Sequence, residues 1–250
     1  MQDIIDSFGS RLFECKHVIV SGGSSGIGLA IARGFAALGA QVIATGTSAA
    51  KLDLASSDPS NAGMQFATLD VRDRTAVQRF MAAQPRIDVL VNGQGVARPD
   101  EEWSEETFLD VMDINLSSAF RLTMAALPKL ESTRGTVVNI ASMLSYLADG
   151  AVPAYTASKT GVVGLTRALA HRFGPSGVRV NAVAPGYHRT EMTRRLWEDP
   201  QTEASIAGRS ALKRWGTADD LIGATVFLCT PAATFITGAV LPVDGGYHTG

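Results

Sequence analysis

The sequence predicts an α/β fold, a single doubly wound domain around a mostly parallel seven-stranded sheet. Three observations carry that expectation. Short β-branched runs alternate with apolar sets at helical spacing from one end of the chain to the other, the pattern that yields parallel strands joined by right-handed crossovers. The strand candidates are nearly continuous in apolar residues, as strands covered on both faces are. No Pro/Gly/Ser-rich linker divides the 250 residues, so one large core is expected.

In chain order the strand candidates are 17–20, 41–45, 64–69, 88–92, 136–140, 178–183 and 239–243. Between the first two, Ile27, Ile31, Phe35 and Leu38 recur on one helical face, and Gly39 supplies a C-terminal stop. Longer helical patterns cover 104–130 and 155–172. Residues 1–12 read as a short N-terminal extension, with the domain running from 13 to 250.

Composition excludes several classes of function. A net charge of −2 gives no electrostatic case for nucleic acid or an anionic membrane. No run of apolar residues is long enough to span a bilayer, and the first residues lack the apolar core of a signal peptide. Cys15 and Cys229 stand far apart, in no metal or redox spacing. They read as core thiols of a reduced, cytoplasmic protein, with no metal site expected.

The stretch "SGGSSGIG" after the first strand packs four glycines into eight residues. It fits three chemistries at first sight. Gly22 to Gly26 satisfies G-x-S-x-G, the nucleophile elbow of a hydrolase. Gly23 to Gly28 has P-loop spacing, but Leu29 and Ala30 stand where Lys and Ser/Thr are required. The third reading is a cradle for a dinucleotide pyrophosphate at a helix N-terminus. A loop after the first strand of such a sheet belongs in the crevice at the strands' carboxyl ends. The hydrolase is the weaker alternative, since its late histidine would be His248, in a C-terminal tail read as solvated.

At mid-chain, Tyr155 and Lys159 lie four apart at the start of a helical pattern, on one face and a turn apart. An ammonium beside a phenol favours phenolate, so Tyr155 is expected to have a lowered pKa and to exchange protons near neutrality. Ser142 lies thirteen residues earlier, at the end of the strand "TVVNI". Asn115 interrupts an apolar helical pattern, where asparagine is a poor choice without a packing or functional reason.

Taken together these motifs closely resemble the short-chain dehydrogenase/reductase family, over nearly the whole chain. "SGGSSGIG" is similar to the family's T-G-x-x-x-G-x-G, Tyr155 to Lys159 to its Y-x-x-x-K, and Ser142 and Asn115 to its remaining catalytic residues. "NAVAPG" and "GAVLPVDGG" resemble its late segments. The resemblance implies a Rossmann-like fold and reversible hydride transfer between a nicotinamide cofactor and a secondary alcohol or ketone. It implies that Tyr155 exchanges the proton, that Ser142 polarises the substrate oxygen and that Lys159 tunes Tyr155 and bonds the nicotinamide ribose. Asn115 would hold a water that links Lys159 to solvent. Gly22, Ser24, Ser25, Gly26, Ile27 and Gly28 would cradle the pyrophosphate. Thr47, Asp70 and Val71 would meet the adenosine, Asn92 and Gly93 the middle of the cofactor, and Pro185, Gly186, His188 and Thr190 the carboxamide. A homotetramer is implied as well.

The sequence also departs from the family. Gln94 replaces a small residue after the fourth strand, His188 an apolar one, and Cys15 a common glycine before the first strand. Gln94, Ser142, Leu144 and Tyr187 are the candidate substrate contacts. Gly46 stands where NAD enzymes of the family carry an acid, so nothing repels a 2′-phosphate. Thr45, Thr47, Ser48 and Lys51 supply donors nearby. NADP(H) is therefore favoured, with NAD(H) as the alternative. A non-catalytic cofactor-binding regulator and a hydrolase or lyase are the competing functions.

Overall fold

The computed structural model describes residues 1–250. All seven strands form: β1 (His17–Ser21), β2 (Gln41–Gly46), β3 (Gln65–Thr68), β4 (Val89–Asn92), β5 (Thr136–Ile140), β6 (Arg179–Pro185) and β7 (Val240–Val243). They make one sheet in the order β3-β2-β1-β4-β5-β6-β7. Every pairing is parallel, so the sheet is wholly rather than mostly parallel. Ser21, at the end of β1, pairs with Thr45 on one side and Asn92 on the other. The chain order reverses across β1 and β4, and ligands of open α/β sheets sit at such a switch point.

The helices are α1 (Gln2–Asp6), α2 (Gly26–Ala37), α3 (Ala49–Ser57), α4 (Arg74–Ala83), α5 (Glu105–Met112), α6 (Ser118–Thr133), α7 (Pro153–Phe173), α8 (Arg194–Trp197), α9 (Pro200–Arg209) and α10 (Asp220–Cys229). Several starts are fixed by capping side chains. Ser48, Asp73 and Ser104 accept bonds from the N–H groups of Lys51, Ala76 and Thr107. Between α5 and α6 the helix widens into a π turn, Asp113–Ser117, which holds Asn115.

Successive strand residues face two different cores. Val18 and Val20 join Ile31 and Phe35 of α2 and Ile222 and Val226 of α10. Ile19, between them, joins Leu122 and Leu130 of α6 and Leu169 and Phe173 of α7. Burying one such side chain contributes about 1.5–3 kcal/mol. Helices on both faces thus leave the carboxyl edge of the sheet as the open crevice.

Residues 1–12 pack onto this scaffold. Ile5 of α1 is buried in the same cluster as Phe35, and the N-terminal amine pairs with Asp219 at 3.2 Å. Phe13 meets Phe35 edge-on at 4.9 Å. Cys15 corrects its sequence reading: it is exposed, not a core thiol. Its φ is +61°, a left-handed backbone that explains why glycine is common at this place in the family.

Candidate active site

The loop from β1 to α2 is shaped by missing side chains. Gly22 has φ +71°, and a Cβ there would lie 2.6 Å from the backbone N of Gln94. A Cβ on Gly28 would lie 2.2 Å from the carbonyl oxygen of Gly22. The loop can therefore close against the first turn of α2 only with glycine at both places. Ser25, the N-cap, is extended and makes no side-chain cap bond. The first N–H groups of α2 are left for an anion, which the helix dipole also favours. These residues fit a pyrophosphate.

That loop opens onto a cleft of about 670 Å³, the size of a cofactor site. Gly22, Ser24, Ser25, Gly26, Ile27 and Gly28 line it from the loop; Thr47, Asp70 and Val71 line one end and Gly93 its middle. Ser142, Tyr155, Lys159, Pro185, Gly186, His188 and Thr190 line the rest. Asn92 is the exception among the expected cofactor contacts. Its amide turns into the protein, donating to Asn139 at 2.8 Å and Thr123 at 3.2 Å, because a buried amide needs partners.

At the end holding Thr47, Ser48 and Lys51 also line the cleft, while Asp70 is bound by Arg72 through Nε at 3.1 Å and Nη2 at 2.8 Å. A Cβ on Gly46 would lie 2.5 Å from Ser24 Oγ and 2.9 Å from Ser24 Cβ. Ser24 therefore occupies the space a side chain at 46 would need.

At the other end, Ser142 follows β5 and accepts from the Leu144 N–H at 3.1 Å. Its hydroxyl lies near the Tyr155 phenol and draws the phenol's pKa down. Lys159 is buried one turn on, donates to the Ile140 carbonyl at 2.7 Å, and lies 5.5 Å from the centre of the Tyr155 ring. Burial reverses the expected direction for Tyr155: desolvation raises the phenol above its ordinary range, Ser142 pulls it back, and Glu102 pushes it further up. Desolvation also brings the Lys159 amine down to about 8. Neither charge is favoured out of water.

Asn115 owes its place to the π turn. Its Oδ1 accepts from Val96 N at 2.8 Å, and its Nδ2 donates to Val96 O at 2.9 Å and to Ser158 Oγ at 3.1 Å. Those bonds fasten the segment after β4 to α7. Gln94, 8% exposed, donates through Nε2 to Ser118 Oγ at 2.7 Å. Ser118 gives its own proton to Ile114 O, which fixes the orientation of the Gln94 amide. Gln94 Oε1 is then a buried acceptor without a protein donor, on a residue that lines the cleft. His188 Nδ1 bonds Gly186 O at 3.1 Å, its ring packs on Gly216, and burial lowers its pKa.

Leu144 and Tyr187 do not line this cleft. Tyr187 instead packs at 5.4 Å from Trp215 and 5.1 Å from Tyr247, where burial raises its phenol to about 12. His248 is not a solvated tail residue: it bonds Asp244 at 2.5 Å and stacks on Tyr146. Two residues absent from the sequence reading belong to the site. Arg98 lines the cleft beyond Gln94, and Glu102 is buried behind Tyr155. The rule that ligands meet the carboxyl ends of strands points to the segment after β4, hence to Arg98. Nothing local marks Glu102 in the acidic run "PDEEW".

Known proteins share this chain's sequence pattern and fold. A family model described as enoyl-(acyl carrier protein) reductase matches residues 22–248. The chain is 40% identical over 239 residues to gluconate 5-dehydrogenase of Gluconobacter oxydans, covering 92% of this chain and 93% of that one. It is 38% identical to 2-dehydro-3-deoxy-D-gluconate 5-dehydrogenase of Bacillus subtilis, covering 93% and 94%. It superposes with a TM-score of 0.87, at 31% identity, on the crystal structure of a gluconate 5-dehydrogenase from Burkholderia cenocepacia in complex with NADP and tartrate, covering 96% and 98%. This chain belongs to the short-chain dehydrogenase/reductase family and is an NAD(P)-dependent oxidoreductase that interconverts alcohols and ketones.

Proposed function

We propose that the substrate is a sugar acid of the gluconate class, oxidised and reduced at a secondary alcohol, and that NADP(H) is the preferred cofactor. The observation that carries the reading is the composition of the reaction end. Tyr155 and Ser142 present two hydroxyls, and Arg98 adds a cation to the same cleft. Arg98 gives one terminal nitrogen to Asp110 at 2.5 Å, and its guanidinium still has donors for a carboxylate. A polyhydroxy acid offers the complementary donors and anion.

The bound cofactor supplies a hydride acceptor or donor. In the oxidative direction Tyr155 Oη takes the proton of the substrate hydroxyl as the carbon gives up its hydride; in reduction it returns that proton to the oxygen. Ser142 Oγ donates to the same oxygen as charge develops on it. Lys159, fixed by Ile140 O, holds a positive field beside the phenol and would hold the ribose of the cofactor. Asn115 holds α7 and the segment after β4 together and orders water near Lys159. Near neutral pH Tyr155 keeps its proton, so the oxidative rate rises with pH.

The preference for NADP(H) rests on the absence of an acid at Gly46 and on Thr47, Ser48 and Lys51 around that end. A homotetramer is part of the same proposal. It is supported by the face of α6 and α7 that exposes Phe120 and Met124 beside Leu116 and Leu165, and sedimentation equilibrium tests it. The unpaired Cys15 and Cys229 support a cytoplasmic location.

The decisive experiment scans gluconate, 5-ketogluconate and 2-dehydro-3-deoxygluconate against simple alcohols and ketones, following absorbance of the reduced nicotinamide. Sugar acids should be preferred, and Tyr155→Phe should lose about 100-fold or more in kcat with them. A preference for uncharged substrates would overturn the substrate class, and a fully active Tyr155→Phe the proton-transfer role. Cofactor binding without turnover across the whole panel would favour a regulator.

A further inference from the structure

Tyr155 is the third residue of α7, in the turn whose N–H groups have no partners within the helix. The local sequence does not supply a cap. Val152, the N-cap, makes no side-chain bond, and Pro153 follows it. The acceptor comes from outside the helix, from the segment after β4. Glu102 Oε2 accepts from the Tyr155 N–H at 2.8 Å, and Glu102 Oε1 accepts from the Arg98 N–H at 2.8 Å. The carboxyl is 1% exposed. Two further bonds fasten its segment to the loop before α7: Asp100 N to Ala151 O at 2.8 Å and Trp103 Nε1 to Gly150 O at 3.0 Å. Asp100 adopts φ +66° to bring this about.

Burying a carboxylate is costly unless its oxygens are bonded, and a helix could be capped far more cheaply by a local serine or aspartate. This one joins two segments of the chain. One of its bonds fixes the backbone of the proton-exchanging tyrosine, the other the backbone of the cleft cation. We propose that Glu102 is a positioning residue for the reaction, a cap supplied from the segment after β4 that holds Tyr155 opposite Ser142 and ties Arg98 to the same carboxylate. The inference rests on the reading of Tyr155 as the proton donor and acceptor. Glu102 does not touch the substrate; it acts through the tyrosine. The charged groups facing Tyr155 are Glu102 behind it and Lys159 on its own helix, with the Ser142 hydroxyl in front. Glu102's charge disfavours phenolate and so favours the acid form of the tyrosine.

Two conservative variants of the full chain separate reach from charge. E102D keeps the charge and shortens the arm by one methylene; E102Q keeps the shape and removes the charge. After circular dichroism has shown each folded, both should lose about tenfold or more in kcat, with cofactor KM nearly unchanged, since a small misplacement of a reacting group is costly. E102Q should also move the pH midpoint of sugar-acid oxidation to lower pH, and E102D should leave it in place. Folded variants with wild-type kcat and pH profile overturn the proposal, as does a rise in cofactor KM matching the loss of kcat. If E102Q does not fold, the kcat and KM of E102D decide. Tyr155→Phe serves as the control. If it stays active, the reading of the site has failed; if it is inactive while both Glu102 variants are normal, only the role of Glu102 has.

Discussion

At the end of the cleft that follows β1, what counts is atoms that are not there. Gly22 and Gly28 let one loop close on a helix, and any Cβ would strike backbone within 2.6 Å and 2.2 Å. At the end that follows β5, what counts is atoms that are there and held: Ser142, Tyr155 and Lys159, with Asn115 and Glu102 behind them. Clearance needs only that no Cβ stands between Gly28 and Gly22 or between Gly22 and Gln94. Placement asks more, since each held group answers to a hydrogen-bond partner on another strand or loop. The two ends should therefore fail differently when disturbed.

Gly28→Ala should give the largest loss. Its Cβ would lie 2.2 Å from Gly22 O, backbone that cannot rotate aside. The loop must reopen, at a stability cost of about 1–3 kcal/mol for overpacking. Cofactor binding, followed by fluorescence quenching, should fall below detection. Tight binding by Gly28→Ala would show that the cradle tolerates volume, and the contrast between the ends would collapse. Ser142→Ala should do the opposite, leaving cofactor affinity unchanged and lowering kcat about 100- to 1,000-fold, as removal of one preorganised donor does. A Ser142→Ala variant that changed only Tm would make this residue a turn-former.

Cofactor choice tests the first end with a smaller effect. Gly46→Asp alone is a poor route to NAD(H), because the new Cβ meets Ser24 Oγ at 2.5 Å and Ser24 Cβ at 2.9 Å. Removing that side chain as well, in Ser24→Gly/Gly46→Asp, opens the space for a carboxylate that bonds the ribose and repels a 2′-phosphate. The double variant should shift the kcat/KM ratio toward NAD(H) by about tenfold or more, given one charge–phosphate repulsion of about 1.4 kcal/mol or above. The single variant should shift it less and lose stability. Equal behaviour of the two would mean that Ser24 moves freely.

The contrast also explains what the sequence could and could not disclose. The seven strands were legible because each is a short apolar run, and the glycine loop because its spacing is local. Tyr155 and Lys159 were legible as neighbours on one helical face. The direction of the tyrosine's pKa was not, because it depends on burial in the folded chain and on Glu102, some fifty residues away in sequence. Asn92 illustrates the same limit, since a strand-end residue points to one face or the other according to what lies there. In this protein Asn139 and Thr123 lie there. Gln94 was visible as an odd residue, but its orientation is fixed by Ser118, on the far side of the π turn.

The smallest expected effect sharpens the meaning of a glycine position. Cys15 has φ +61°, close to the +71° of Gly22, yet it is exposed and lies outside the cleft. At Gly22 two demands coincide, a left-handed backbone and room for the approach of Gln94. At Cys15 only the first applies. A left-handed L-residue costs about 1–2 kcal/mol, and glycine returns part of that as lost chain entropy. Cys15→Gly should therefore stabilise the protein by about 0.5–1 kcal/mol, a rise in Tm of roughly 2 °C for a chain of this size. Turnover and cofactor affinity should not change. Differential scanning calorimetry at matched protein concentration reads the shift. A fall in Tm would mean that the Cys15 side chain makes a contact worth more than its backbone strain. A change in kcat would mean that the turn before β1 communicates with the cradle.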